Sequence, residues 1–117
     1  MNRSDLDRLR DARAFALYAQ DNAGGLSADV LADALQPQHA AFYDLVVIGE
    51  TLNKVSAEVK TAAPDLPWRA TNSLRNFVVH AYWQVDPDII AGIIESEIDP
   101  LVQKLDALIV FVEHMDK

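Results

Sequence analysis

"AAFYDLVVIGETLNKVSAEV", residues 40–59, is the stretch on which the fold turns. Phe42, Leu45, Val46, Leu52, Val55 and Val59 fall along one side of a helix with 3.6 residues per turn. A half-buried strand would alternate apolar and polar residues, and no alternation of useful length occurs here or elsewhere in the chain. The pattern predicts one long helix that begins near Pro37 and ends at the proline-punctuated connection "AAPDLPW", residues 62–68. Gly49 interrupts its middle. A glycine inside a helix costs about 1 kcal/mol relative to alanine, so its place here points to a close helix contact.

Outward from this element the same period continues. Leu6, Leu9, Ala12, Ala16 and Ala19 form a stripe at helical spacing, which predicts a first helix. "NAGGLS", residues 22–27, ends it, and Ser27 can cap a short second helix running towards Leu35. On the other side, residues 74–83 read as a further helix. Asp86-Pro87 supplies a cap and a first-turn proline for a helix through Ile89, Ile90, Ile93 and Ile94. Asp99-Pro100 repeats the device for a last helix carrying Leu101, Leu105, Leu108 and Val112. The expectation is an all-α, up-and-down bundle of five or six helices, formed as one domain over residues 1–117.

Composition bounds the function. Half of the 117 residues are hydrophobic, enough for a packed interior. Cysteine is absent, so neither a disulfide framework nor a thiolate metal site can form, which fits a reducing cytoplasm. "MNRSDLDRLRDAR" at residues 1–13 lacks the apolar run of a secretion signal, and no stretch is apolar enough to span a membrane. The expectation is a cytoplasmic protein. Ten basic and eighteen acidic side chains give a net charge of -8. That argues against a protein that coats nucleic acid generally, but leaves room for a local basic site.

One segment carries chemistry: "LRNFVVHAYWQVD", residues 74–86. On a regular helix Arg75, Val78, Val79 and Tyr82 share a stripe, and Asn76, His80 and Trp83 share another. Arg75 and His80 are five apart, about 140° around the axis, so one ideal helix does not aim them at a common point. Two arrangements would join them. The helix could begin at Ser73, leaving Arg75 in a first turn where its side chain can swing. Alternatively, a second copy of the chain could supply the complement across a two-fold axis.

A histidine exchanges protons near neutrality. An arginine grips phosphate with a planar fork and stabilises the charge of a phosphoryl transition state. With an asparagine to fix either group, these parts suffice for metal-free RNA cleavage, in which the ribose 2'-hydroxyl attacks the adjacent phosphate. They also suffice for a satisfied polar contact in a dimer interface. His39 and His114 read as solvated. No Glu-x-x-His pair suggests a carboxylate metal site, and no metal or cofactor is expected.

"RNFVVH" followed by "AY" resembles the Arg-x4-His-x-Tyr signature of the HepT-like proteins in the HEPN superfamily. "VIGE" at 47–50, "PDLPWRA" at 64–70 and "VD" at 85–86 fall in the family order, so the resemblance runs from about residue 5 to residue 110. It implies an all-α homodimer that acts as the toxin of a type VII toxin–antitoxin pair. It also implies a metal-independent ribonuclease acting on tRNA or mRNA, with its site at the dimer interface. By position Arg75 and His80 would be the catalytic pair and Asn76 their polar companion. Tyr82 would be the tyrosine that an MntA-type minimal nucleotidyltransferase antitoxin modifies with AMP units to silence the nuclease. Two positions depart from the pattern: Ala81 stands where many members have glycine, and Phe77 where some carry a basic residue. A non-catalytic helical subunit, serving that nucleotidyltransferase as scaffold or AMP acceptor, is the alternative.

Overall fold

Four helices in this chain start where a side-chain oxygen meets the first free backbone amides. The computed structural model describes residues 4–115, apart from the side chains of Ala28 and Tyr82. Within them lie seven α-helices and no strand: α1 (Asp5–Ala23), α2 (Ala28–Asp33), α3 (Leu35–Asn53), α4 (Ala57–Ala62), α5 (Trp68–Ala81), α6 (Pro87–Ser96) and α7 (Ile98–Met115). A 3-10 turn, Tyr82–Gln84, follows α5. The Ser4 hydroxyl accepts from the Asp7 amide at 3.0 Å, and the Asp7 carboxylate accepts from the Ser4 amide at 3.4 Å. Ser27, Ser56 and Asp86 cap α2, α4 and α6 in the same manner, each such cap contributing about 1 kcal/mol.

The expected all-α bundle is what forms, with two differences in where its helices break. Residues 37–62 do not make one continuous helix. The Lys54 amide donates to the Thr51 carbonyl and the Val55 amide to the Leu52 carbonyl, each at 3.2 Å, which tightens the last turn of α3. Ser56 then starts α4 afresh, its hydroxyl accepting from the Val59 amide at 3.3 Å. Side chains from other places satisfy the broken backbone. Lys60 Nζ donates to the Asn53 carbonyl at 3.0 Å, Arg8 to the Lys54 carbonyl at 3.3 Å, and the Ser56 amide donates to the Asp5 carboxylate at 3.1 Å. The second difference is at Asp99-Pro100. α7 already begins at Ile98, so Asp99 lies inside its first turn and accepts instead from Gln20 Nε2 at 2.5 Å.

α3 is the central element. It packs on α1 across one face and on α5 across another; α7 lies against α1, and α6 bridges α2 and α7. Leu9, Leu31, Ile48, Leu52, Ile90, Ile98 and Leu105 form the fully buried centre. Removing any of these leucine or isoleucine side chains would cost about 2–5 kcal/mol. The α1 stripe is made of small side chains, Ala12, Ala16 and Ala19, all fully buried, which lets neighbouring helices approach closely. No helix of the described residues is long and apolar enough to cross a membrane.

Asp44 is the charged residue that this core encloses. It lies on α3 and accepts a hydrogen bond from Asn22 Nδ2 at 2.8 Å. Burial raises its carboxyl above the ordinary carboxylate range, and the Asn22 bond offsets this only in part. A raised folded-state pKa means that the stabilising contribution is complete below the ordinary carboxylate range and lost as pH rises through the raised value. Asp44→Asn keeps an acceptor for Asn22 and removes the charge. Its melting temperature should exceed that of the wild type at pH 7, with the difference closing at pH 3; thermal unfolding by circular dichroism at both pH values measures this.

Candidate functional site

The corner before α5 is stapled by Trp68. Its Nε1 donates to the Ala63 carbonyl at 2.9 Å, and Lys60 Nζ stands 5.9 Å from the ring centroid. The Thr71 hydroxyl donates to the Pro67 carbonyl at 3.1 Å, closing the first turn. From Trp68 the helix is regular to Ala81, and of its fourteen residues Val78 is the one buried. α5 therefore lies on α3 through a narrow strip and leaves a broad face outside. Phe77 and Val79 are exposed on that face, as are Arg69, Ser73, Asn76 and His80.

Gly49 sets the depth of this contact. A Cβ built on it would stand 2.5 Å from the Thr71 carbonyl oxygen and closer still to the Cβ of Arg75. The missing side chain lets the stem of Arg75 lie directly across α3. Its guanidinium then reaches Glu50, with 2.6 Å between Nη2 and Oε2. Nη1 of Arg75 donates to Asn76 Oδ1 at 2.8 Å, and Nε is buried without a hydrogen-bond partner among the described residues. Lys54, one turn along α3, stands 3.4 Å from the other Glu50 oxygen. The Lys54 and Arg75 charges together hold the Glu50 carboxyl below its ordinary range, so Glu50 is ionised at neutral pH.

The structure thus assembles Arg75 and Asn76, but it does not bring His80 to them within one chain. α5 begins at Trp68, not Ser73, so Arg75 is fixed well inside a regular helix. His80 lies one and a half turns further on, about 140° around the axis, exposed and without a hydrogen bond or ion pair to any described residue. The helix ends at Ala81, and a 3-10 turn carries the chain on through Tyr82 and Trp83. The 3-10 turn there advances by about 120° per residue instead of 100°. Tyr82 opens that turn; its side chain lies outside the described residues. Trp83 is 69% exposed.

Glu50 is the residue that the sequence pattern did not single out. Its signal was present: it follows Gly49, and a glycine that admits a neighbouring helix also brings its own neighbours within reach of that helix. Among the described residues no three His, Asp or Glu side chains stand close enough together to hold a metal ion. What the arrangement offers is an oriented guanidinium, an amide beside it, and a solvent-facing imidazole on the same helix.

A family model described as ribonuclease HepT-like matches residues 6–108. A protein of Thermococcus cleftensis named "Probable ribonuclease HepT" is 30% identical over 109 residues, covering 92% of this chain and 98% of that one. A candidate RNase of Methanocaldococcus jannaschii is 23% identical over 115 residues, covering 92% and 95%. No solved structure matches the chain significantly.

The contact at Gly49 makes a direct prediction. Gly49→Ala should destabilise the fold by about 1–3 kcal/mol, because overpacking against a backbone carbonyl outweighs the gain in helix propensity. Urea denaturation midpoints of the two proteins measure it.

Proposed function

The chain belongs to the HepT-like ribonuclease family, and from that premise we propose that it is a metal-independent endoribonuclease, the toxin of a type VII toxin–antitoxin pair. The observation that supports this most is the match over residues 6–108, which contains Arg75 already oriented by Glu50 and Asn76 and His80 exposed on the same helix. On this reading two copies of the chain pair through the outer face of α5. The Arg75 and His80 side chains of both then surround one phosphate. That face is suited to pairing, since it presents Phe77 at 46% and Val79 at 44% exposure.

In the reaction the 2'-hydroxyl oxygen of the ribose forms a bond to the adjacent phosphorus as the bond to the 5'-oxygen breaks. A His80 imidazole takes the hydroxyl proton, and a protonated one gives a proton to the leaving oxygen. Arg75 neutralises the charge that builds on the phosphoryl oxygens, and Asn76 holds its fork in plane. Glu50 keeps the guanidinium aimed while offsetting part of its field. Tyr82 is the switch: AMP units attached to its oxygen by a MntA-like minimal nucleotidyltransferase partner would place phosphates where RNA must bind. The net charge of -8 and the engagement of Arg75 by a carboxylate support a second reading, in which the chain is a non-catalytic acceptor subunit of that nucleotidyltransferase.

Two measurements separate these. Incubated with total tRNA in EDTA, the wild type should cleave it, and His80→Ala should be slower by roughly a hundredfold or more, the usual contribution of a positioned acid–base group. Cleavage by neither, with mass gain at Tyr82 when the partner and ATP are added, selects the acceptor role. Light scattering at micromolar concentration should give a particle of twice the 13.0 kDa chain mass; a monomer would leave Arg75 and His80 on opposite sides of one helix and remove the composite site.

A further inference from the structure

In a chain with so many carboxylates, most cations are already paired. Arg8, Arg10, Arg13, Lys54 and Arg75 each stand in an ion pair with an Asp or Glu. Among the described residues Lys60, Arg69 and Lys104 stand in none. All three are tied to residues 60–69, the segment that leads from α4 into α5. Lys60 lies over the Trp68 ring, Arg69 is the next residue, and Lys104 reaches across from α7 to donate to the Asp65 carbonyl at 3.0 Å. Glu58, Asp65 and Glu97 are the carboxylates nearby in the chain or groove, and none is within ion-pair distance of the three cations.

The corner is also in line with the site. Arg69, Ser73, Asn76 and His80 follow one another at spacings of four, three and four, so they lie along a single outer ridge of α5, and all four are exposed. Arg69 and His80 are separated by roughly 16 Å along the axis. With two copies paired through this face, a strand whose scissile phosphate sits at Arg75 and His80 leaves the pairing at its Arg69 end, where it can present a later phosphate to the corner. We infer that Lys60, Arg69 and Lys104 form a second phosphate-binding site for the substrate RNA, holding a single-stranded segment several nucleotides from the cut. This rests on the ribonuclease reading of α5. It accounts for how a chain of such negative charge retains a polyanion: the unpaired cations are few but collected at one end of the catalytic helix.

The test compares Arg69→Glu/Lys104→Gln with the wild type, and Arg69→Lys as the conservative control. Circular dichroism first checks that all three melt alike. The double variant should raise KM for a long unstructured RNA at least tenfold at low salt, leave kcat at saturation unchanged, and leave cleavage of a dinucleotide untouched; Arg69→Lys should behave as wild type. A second arm needs no catalysis. Fluorescence anisotropy of a labelled RNA on His80→Ala protein, with and without the double substitution, gives the dependence of affinity on salt. Its logarithmic slope should fall by about 0.7 for each phosphate that the corner no longer neutralises. An unchanged KM and slope, or an equal rise in KM for the dinucleotide, would overturn the corner site. Failure of the wild type to cleave any RNA would count against the ribonuclease reading instead, and the binding arm would still decide the corner.

Discussion

The contact between Gly49 and α5 is the constraint from which the rest of the site follows. With no side chain at that position, the Thr71 carbonyl and the Arg75 stem lie flat against α3. That closeness, not helix propensity, is what the glycine contributes; on propensity alone it weakens α3. Once the stem is laid across α3, the guanidinium reaches Glu50 of α3 at 2.6 Å and Asn76 beside it at 2.8 Å. Val78, Leu74 and Trp68 pack α5 on the core, and the close approach at Gly49 with the ion pair to Glu50 fixes where Arg75 lies on α3.

Electrostatics then divide the molecule. Glu50 stays ionised because Lys54 and Arg75 flank it, so part of the Arg75 charge is already answered. Exposure weakens that pairing, since the Glu50 side chain is 41% and the Arg75 side chain 29% open to solvent. On the proposed ribonuclease reading, a phosphate carrying a full charge would share the fork with Glu50. Asp44, further back on the same helix, is the opposite case: a carboxylate enclosed by the core, with Asn22 donating to it, and so pushed towards its neutral form. One helix thus carries two carboxylates with shifts of opposite sign, set by what lies against each.

Helix identity was legible wherever a period or a cap was local. The α1 stripe, the Ser27 cap and the Asp86-Pro87 start are all found where the residues pointed. The breaks were not. Val55 and Val59 continue the apolar side of α3, and the helix nonetheless stops at Asn53, because Lys60, Arg8 and Asp5 satisfy the freed backbone from elsewhere in the fold. Asp99-Pro100 looks like Asp86-Pro87, but Gln20 of α1 engages the Asp99 carboxylate and α7 starts two residues before the proline, at Ile98. In each case a partner distant in sequence overrode a local signal.

The chain by itself determined its class and its helical faces and singled out candidate site residues, since these depend on periodicity, on capping and on a motif read in order. It marked Arg75, Asn76 and His80, and showed that five residues of helix set the arginine and histidine apart. Only the tertiary structure decided that α5 begins at Trp68, so that this separation is rigid, and that Glu50 is the group which aims Arg75. The reason is physical: the angle between two side chains on a helix follows from local geometry, whereas which groups meet across two helices depends on how closely they pack, and at this place that distance is set by a side chain that glycine does not have.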